Sequence, residues 1–276
     1  MKHLSVADAV RYPTMTTEEL RDAFVLSDLF QPGSLELTYV DLDRTIVGSA
    51  VPTTAPLVLP NNETLKAAFF LERRELGVLN IGAAGTVTVD GESFALGNLD
   101  ALYIGRGKKS VQFESADAKA SAEFYLLSYP AHAEYPTSLV RSAEVKPVVL
   151  GATENANRRE ITKLIHLDGT RSCQLVMGYT KLASGSVWNT MPPHTHMRRS
   201  EIYMYFNLAS EARIIHLMGP GEETRHLVMK NHEVVVSPGW SIHAGVGTGA
   251  YSFCWGMGGE NQDYADMDPV TINSLL

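Results

Sequence analysis

Nine histidines are spread along the 276-residue chain, and two of them, His194 and His196, follow Met191-Pro192-Pro193 with one residue between them. Side chains of an extended segment repeat with period two, so these imidazoles point to one face. Two neutral imidazoles side by side suit a divalent metal. Glu201 follows at an odd offset from His196, so the chain must turn or bulge across the polar Met197-Arg198-Arg199-Ser200 to bring the carboxylate to that face. Beyond the turn, Glu201, Tyr203 and Tyr205 alternate along the next strand and share one side of it. A third imidazole, His243, follows Ser237-Pro238-Gly239-Trp240, where Pro-Gly marks a turn feeding another strand. Histidines that merely flank a Pro-Pro turn would leave Glu201 and His243 unexplained. The remaining His3, His132, His166, His216, His226 and His232 have no spacing that asks for more than surface or core roles.

These four side chains need strands to hold them, and the sequence supplies many. Thr16-Thr17-Glu18-Glu19 has the form of a capping box and opens an amphipathic helical stretch running to about Leu29, before Pro32-Gly33. From Leu35 onward, short apolar or alternating runs such as LELTYV, GVLNIG, EIYMYF and EVVVS are separated by Gly, Pro, Asn and Asp. That grammar predicts an all-β chain of antiparallel barrels or sandwiches. Asp90-Gly91 between strand-like runs predicts a two-residue hairpin turn.

The segment 142–160 carries Pro147, Gly151 and several Asn residues between strand-rich halves, which places a boundary near 150. A weak internal repeat relates the halves: Arg73-Arg74-Glu75 aligns with Arg199-Ser200-Glu201, and Asp100 with Glu233. In that alignment Ala68 and Phe70 stand where His194 and His196 stand, and Ser110 stands opposite His243. Apolar side chains and one hydroxyl cannot make a metal site. The expected organisation is therefore a metal-free domain over 1–150 and a metal-bearing domain over 151–276.

Composition sets bounds on partners. With 20% charged and 45% hydrophobic residues the chain is ordinary globular protein. Its 23 Lys+Arg against 31 Asp+Glu give a net charge of -8, which opposes nucleic acid or an anionic membrane surface as partner. No apolar run approaches the roughly 20 residues of a membrane span. Neither does the N-terminus show the apolar core of a signal peptide. Cys173 and Cys254, far apart in a chain of this size, read as free thiols of a reducing compartment, so the cytoplasm is expected.

The pattern H-x-H-x4-E, followed by P-G-x3-H, resembles the two motifs of the cupin superfamily, small antiparallel barrels that hold one metal. More specifically, Asn157-Arg158-Arg159, the run 172–178, GSVWNTMPPHTHMRRSEIYMYF, SPGWSIHAGVGT, FCWGMGGEN and, in the first half, FFLERRELGVLNIG resemble the 4-deoxy-L-threo-5-hexosulose-uronate ketol-isomerases of pectin degradation. The resemblance covers almost the whole chain. It implies an all-β bicupin of two antiparallel jelly-roll barrels with a short N-terminal helix, one zinc ion per chain held by His194, His196, Glu201 and His243, and a homohexamer. The implied reaction converts 5-dehydro-4-deoxy-D-glucuronate into 3-deoxy-D-glycero-2,5-hexodiulosonate. Met197 and Gly239 depart from the family pattern, at positions that are not ligands.

A ketol isomerisation moves a proton between adjacent carbons through an enediol. A divalent ion held by three neutral imidazoles and one carboxylate keeps a net positive charge, which can polarise the carbonyl and stabilise that enediol. The general base is not named by the sequence: Tyr203, Tyr205, Gln174 and Lys163 are the options, together with a hydroxide on the metal. The small-molecule uronate carries a carboxylate that calls for an arginine fork, with Arg158, Arg159, Arg198, Arg199 and Arg225 as the choices. Alternatives from other classes are a metal-dependent cupin dioxygenase and a non-catalytic sugar-binding cupin. Oxygen consumption or unchanged ligand would distinguish them from an isomerase.

Overall fold

The computed structural model describes residues 1–260 and 263–276, so Asn261, which ends the FCWGMGGEN stretch, lies outside the described residues. Strands dominate, as the turn-punctuated sequence requires, and Thr17–Phe24 is the one α-helix among the described residues. No helix among the described residues is long and apolar enough to cross a membrane. The capping box closes as expected: the Thr16 hydroxyl accepts from the Glu19 amide at 3.3 Å, and the Glu19 carboxylate accepts from the Thr16 amide at 2.8 Å. The helix ends at Phe24 rather than near Leu29, because Val25–Leu26 leaves it to pair antiparallel with Val234 and Val235. A β-branched residue gains more in a sheet than in another helical turn.

The chain forms two compact units. One comprises Met1–Leu4, Asp28–Lys146 and Leu164–Val176, and the other Ser5–Ser27, Pro147–Lys163 and Met177–Leu276. A single cut near 150 therefore does not describe the division. Ser5–Ser27 goes with the later residues for definable reasons. Tyr12, fully buried, donates to the Met218 carbonyl at 2.9 Å, and the Arg21 guanidinium meets the Glu233 carboxylate at 2.6 Å.

Each unit has a seven-stranded and a four-stranded sheet. In the second unit the larger sheet runs in the order Val148–Leu150, Arg159–Ile165, Val176–Leu182, Ser252–Gly259, Arg199–Phe206, Val234–Ser237, Val25–Leu26. The smaller runs Trp188–Asn189, Ile242–Gly247, Ile214–Gly219, Arg225–Met229. The first unit repeats the scheme, with Arg74–Asn80 between Phe124–Pro130 and Ala101–Ile104, as Arg199–Phe206 lies between Ser252–Gly259 and Val234–Ser237. Its core gathers Val78, Val87, Leu102, Phe113, Phe124 and Leu126. Asp90 and Gly91, at φ 47° and 89°, make the hairpin turn joining Gly85–Val89 to Glu92–Leu96.

Equivalent positions meet different fates. Asp100 accepts from the Gly97 amide and from Arg141, and Glu233 accepts from the Lys230 amide and from Arg21, so the two acids brace corresponding turns. Glu75, the counterpart of Glu201, has no histidines beside it. Phe70, in the place of His196, is packed into the core. The Glu75 carboxylate instead accepts from the amides of Cys173, Gln174 and Leu175 at 2.6, 2.6 and 2.7 Å, and from the Tyr103 hydroxyl at 2.7 Å. Burial, with the adjacent carboxylate, pushes the Tyr103 phenol well above its ordinary value. Three backbone amides and one phenol thus take the place that imidazoles and a cation would take, and they tie Leu164–Val176 to this unit. Replacing Glu75 by Ala leaves four buried donors without their acceptor and is expected to destabilise the chain by about 3 kcal/mol or more in urea unfolding. A loss below about 0.5 kcal/mol would show that water satisfies those donors.

Candidate metal centre

Glu201, Tyr203 and Tyr205 lie on one face of the Arg199–Phe206 strand, and across the ladder Glu201 pairs with Met257, Tyr203 with Trp255 and Tyr205 with Phe253. The face therefore continues onto the neighbouring strand with the same parity. His194 sits in the short strand His194–Thr195, which pairs with Asp268–Pro269, and His196 follows it directly. The chain then turns at Met197-Arg198 before the long strand begins at Arg199. That turn is the change of parity that the odd spacing required. His243 comes from Ile242–Gly247, opposite Met218 on the smaller sheet.

One donor atom from each of His194, His196, Glu201 and His243 lies within 4.8 Å of the others, the one such group of His, Cys, Asp and Glu among the described residues. His196 Nε2 is 2.8 Å and His243 Nε2 3.0 Å from Glu201 Oε2, and His243 Nε2 is 3.0 Å from His194 Nε2. His196, Glu201 and His243 are almost fully buried, and His194 is half-buried.

The outer nitrogens show what the inner ones need. His196 Nδ1 stands 2.7 Å from the Asp266 carbonyl oxygen, so this nitrogen carries the hydrogen and donates. In the neutral ring Nε2 is then a bare lone pair facing a carboxylate oxygen at hydrogen-bond distance. A positive charge between the two, a proton or a metal ion, relieves that approach. His243 places Nδ1 3.3 Å from the Ser237 hydroxyl, which can donate or accept. A ring nitrogen fixed by a carbonyl or hydroxyl while the other faces inward is how metal-ligating histidines are oriented. Burial and the neighbouring His243 hold His194 down at about 3, so its imidazole is neutral and available as a donor. Burial raises the Glu201 carboxyl, but the charge and hydrogen bonds of His243 and His196 with their inner nitrogens protonated outweigh it and hold the group well below its ordinary value, as a carboxylate. The donor set fits a divalent metal ion.

A cavity of about 400 Å³ opens on this cluster, lined by His194, His196 and Glu201, by Tyr203, Phe253, Trp255 and Met257 on the sheet face, and by Arg159, Ile161 and Lys163 farther along that sheet. Tyr264 and Met267 of the C-terminal segment also line it. The other candidate residues divide cleanly. Tyr203 lines the cavity, its ring centroid 5.3 Å from that of His243, and burial, with the Glu201 carboxylate next, keeps its phenol protonated. Tyr205 does not line it: its hydroxyl donates to His216 Nδ1 at 2.7 Å. Gln174 lies in the first unit, donating to the Pro130 carbonyl. Arg158 is exposed, Arg198 pairs with Glu260, and Arg225 donates to the carbonyls of Pro13 and Met15. Arg199 lines the cavity but donates through both terminal nitrogens to the carbonyls of Asp263 and Tyr264. Arg159 and Lys163 remain.

Sequence reasoning missed four contributors. The Asp266 carbonyl is a backbone atom and leaves no mark on residue type. Tyr264 and Met267 sit in an irregular polar segment without periodicity. His216, read as ordinary, is fully buried against Tyr203 and Tyr205 behind the cluster.

A model of the KduI/IolB family matches residues 27–271. Among curated proteins, the 4-deoxy-L-threo-5-hexosulose-uronate ketol-isomerase of Opitutus terrae is 54% identical over 260 residues, covering 94% of this chain and 93% of its own. The protein of the same name from Cereibacter sphaeroides is 50% identical over 278 residues, covering 100% of both chains. Among solved structures, an IolB-like protein from Salmonella typhimurium superposes with a TM-score of 0.74 at 12% identity, over 90% of this chain and 96% of that one. The Bacillus subtilis oxalate decarboxylase, whose structure addresses its Mn(II) centers, gives 0.56 at 13% identity, over 83% and 71%. At such identities these structures show the fold alone, a double cupin.

Burial, with His243 next, holds His216 down at about 3 against an ordinary value of 6.5. The unfolded chain takes up this proton below pH 6.5 and the folded chain does not until about pH 3. The contribution of His216 to stability is therefore complete above pH 6.5 and is lost as pH falls toward 3, by at most about 1.4 kcal/mol per pH unit. In chelator-treated protein, His216→Gln is expected to flatten the loss of urea stability between about pH 6.5 and 5. An unchanged slope would contradict a neutral buried imidazole.

Proposed function

The chain belongs to the KduI/IolB family, and from that premise we propose that it isomerises 4-deoxy-L-threo-5-hexosulose uronate, the 5-dehydro-4-deoxy-D-glucuronate of pectin degradation, to 3-deoxy-D-glycero-2,5-hexodiulosonate. The observation that carries the reading is the His194, His196, Glu201 and His243 cluster, three of whose members line one cavity, in a chain about half identical over its full length to proteins named for this activity. Neither the dioxygenase nor the sugar-binding alternative is favoured.

The reaction is redox-neutral overall. The C–H next to the aldehyde loses its proton and the aldehyde carbon gains one, while the neighbouring hydroxyl gives up its proton to become the ketone and the former aldehyde oxygen takes one up to become a hydroxyl. A zinc ion held by the four side chains would supply Lewis-acid charge that makes such a C–H acidic and needs no redox change of its own. Glu201 is committed to two imidazoles, which leaves it a poor base. Tyr203 brings a protonated phenol to the cavity beside the cluster, able to donate a hydrogen bond to a substrate oxygen that gains negative charge. Phe253, Trp255, Met257 and Ile161 give the cavity apolar walls that exclude water and strengthen every charge–dipole contact within it. The Trp255 indole is itself fixed by donation to the Thr180 hydroxyl at 3.1 Å.

A homohexamer in the cytoplasm completes the reading. The exposed apolar strand Val148–Leu150 is available for subunit contact, and the free thiols Cys173 and Cys254 suit a reducing compartment.

Proton NMR of the purified, zinc-loaded chain with 5-dehydro-4-deoxy-D-glucuronate, under anaerobic conditions, tests the assignment. The 2,5-diketo isomer is expected to accumulate, with solvent deuterium incorporated when the reaction is run in D₂O, and both chelation and His243→Ala are expected to lower the rate by at least about 100-fold. An untouched substrate with metal bound, or conversion that requires O₂, would refute it.

A further inference from the structure

The cavity carries more positive charge than its reaction centre accounts for. Its charged lining residues outside the histidines are Arg159, Lys163, Arg199 and Glu201, three cations and one anion, in a chain whose net charge is -8. Glu201 is held by the imidazoles and Arg199 by two carbonyls. Arg159, Ile161 and Lys163 alternate along the Arg159–Ile165 strand and all line the cavity, whereas Glu160 between them is exposed. Among the described residues one hydrogen bond engages the Arg159 guanidinium, Nη1 donating to the Asn157 carbonyl at 2.9 Å, and its buried Nε has no partner. Lys163 Nζ rests 4.0 Å above the centroid of the Tyr264 ring, a contact that orients an ammonium without neutralising it. A half-buried guanidinium without a counter-charge gains when an anion arrives.

We propose that Arg159 and Lys163 form an anion subsite in this cavity that takes the substrate's carboxylate, with Arg159 as the bidentate partner and Lys163 as the second cation. The strand that carries them is three positions from the Arg199–Phe206 strand in the sheet, roughly 14 Å at the usual strand spacing. Both cations line the same cavity as His194, His196 and Glu201. The substrate in question has its reacting carbonyl and its carboxylate at opposite ends of a six-carbon chain. The assignment rests on the uronate-isomerase reading for the identity of the acid. The subsite itself is a prediction about carboxylates and is testable without turnover.

Two measurements separate the claims. In steady-state kinetics on zinc-loaded protein, Arg159→Gln is expected to raise KM for the uronate by about 30-fold or more, with kcat changed less, and Arg159→Lys to recover part of the loss. Lys163→Gln is expected to raise KM by about 5-fold. In titration calorimetry, D-glucuronate is expected to bind the zinc-loaded wild type and to lose at least about 10-fold in affinity to Arg159→Gln. Its neutral methyl ester is expected to bind both proteins equally weakly. Metal content and thermal midpoint should match wild type in each variant, so that lost binding is not lost folding. Glucuronate binding Arg159→Gln as well as wild type, or a fall in kcat with KM unchanged, would overturn the subsite. A wild type that binds glucuronate in an Arg159-dependent way but converts nothing would uphold the subsite and refute the isomerase reading.

Discussion

The structure turns on one close approach of a buried imidazole and a buried carboxylate. His196 gives its Nδ1 hydrogen to the Asp266 carbonyl, and this leaves its Nε2 lone pair pressed against the Glu201 carboxylate at 2.8 Å. Both groups are almost fully buried, so water cannot dilute the repulsion. The surrounding architecture serves to hold that geometry. The Met197-Arg198 turn sets the parity that puts Glu201 on the histidine side, the pairing of Glu201 with Ser237 and Met257 fixes its height, and the C-terminal segment supplies the carbonyl. A cation among the three imidazoles and the carboxylate would resolve that approach, and the four donors are already gathered to bind one.

The same fold answers the same problem differently in its other unit. Glu75 occupies the strand position of Glu201, but three amides and the Tyr103 phenol satisfy its carboxylate, and Phe70 fills the space of a ligand. One acid organises chemistry and the other organises a loop. In the second unit one sheet face carries the whole sequence of functions, from the cations of the Arg159–Ile165 strand across Trp255 and Tyr203 to Glu201. Period-two alternation thus delivers charged pocket residues from the half-exposed Arg159–Ile165 strand and Glu201 and Tyr203 from the Arg199–Phe206 strand, which is buried on both sides.

The four cluster residues were legible because their types are rare together and their spacing has meaning in a strand. The capping box at Thr16 and the hairpin at Asp90-Gly91 were legible for similar local reasons. What stayed hidden was non-local. Helix propensity alone does not say that Val25 will leave for a sheet whose partner strand lies about two hundred residues on. Nor does residue type reveal that the amides of Cys173, Gln174 and Leu175 would cap Glu75. Among five arginines suited to a carboxylate, the sequence could not choose, because the choice depends on which guanidinium groups are already taken by carbonyls and acids. Arg198 and Arg225 are taken, Arg199 donates through both terminal nitrogens, Arg158 is exposed, and among the described residues Arg159 has one terminal nitrogen engaged and the other open.

The requirement for a cation is tested most directly by titrating chelator-treated protein with Zn²⁺ while following stoichiometry by elemental analysis and the ligand shell by X-ray absorption, in wild type and in Glu201→Gln. One ion per chain is predicted, bound through three imidazole nitrogens and a carboxylate oxygen, with affinity falling by at least about 10-fold in Glu201→Gln. Two ions per chain, a shell with fewer than three imidazoles, or unchanged affinity in the variant would contradict it.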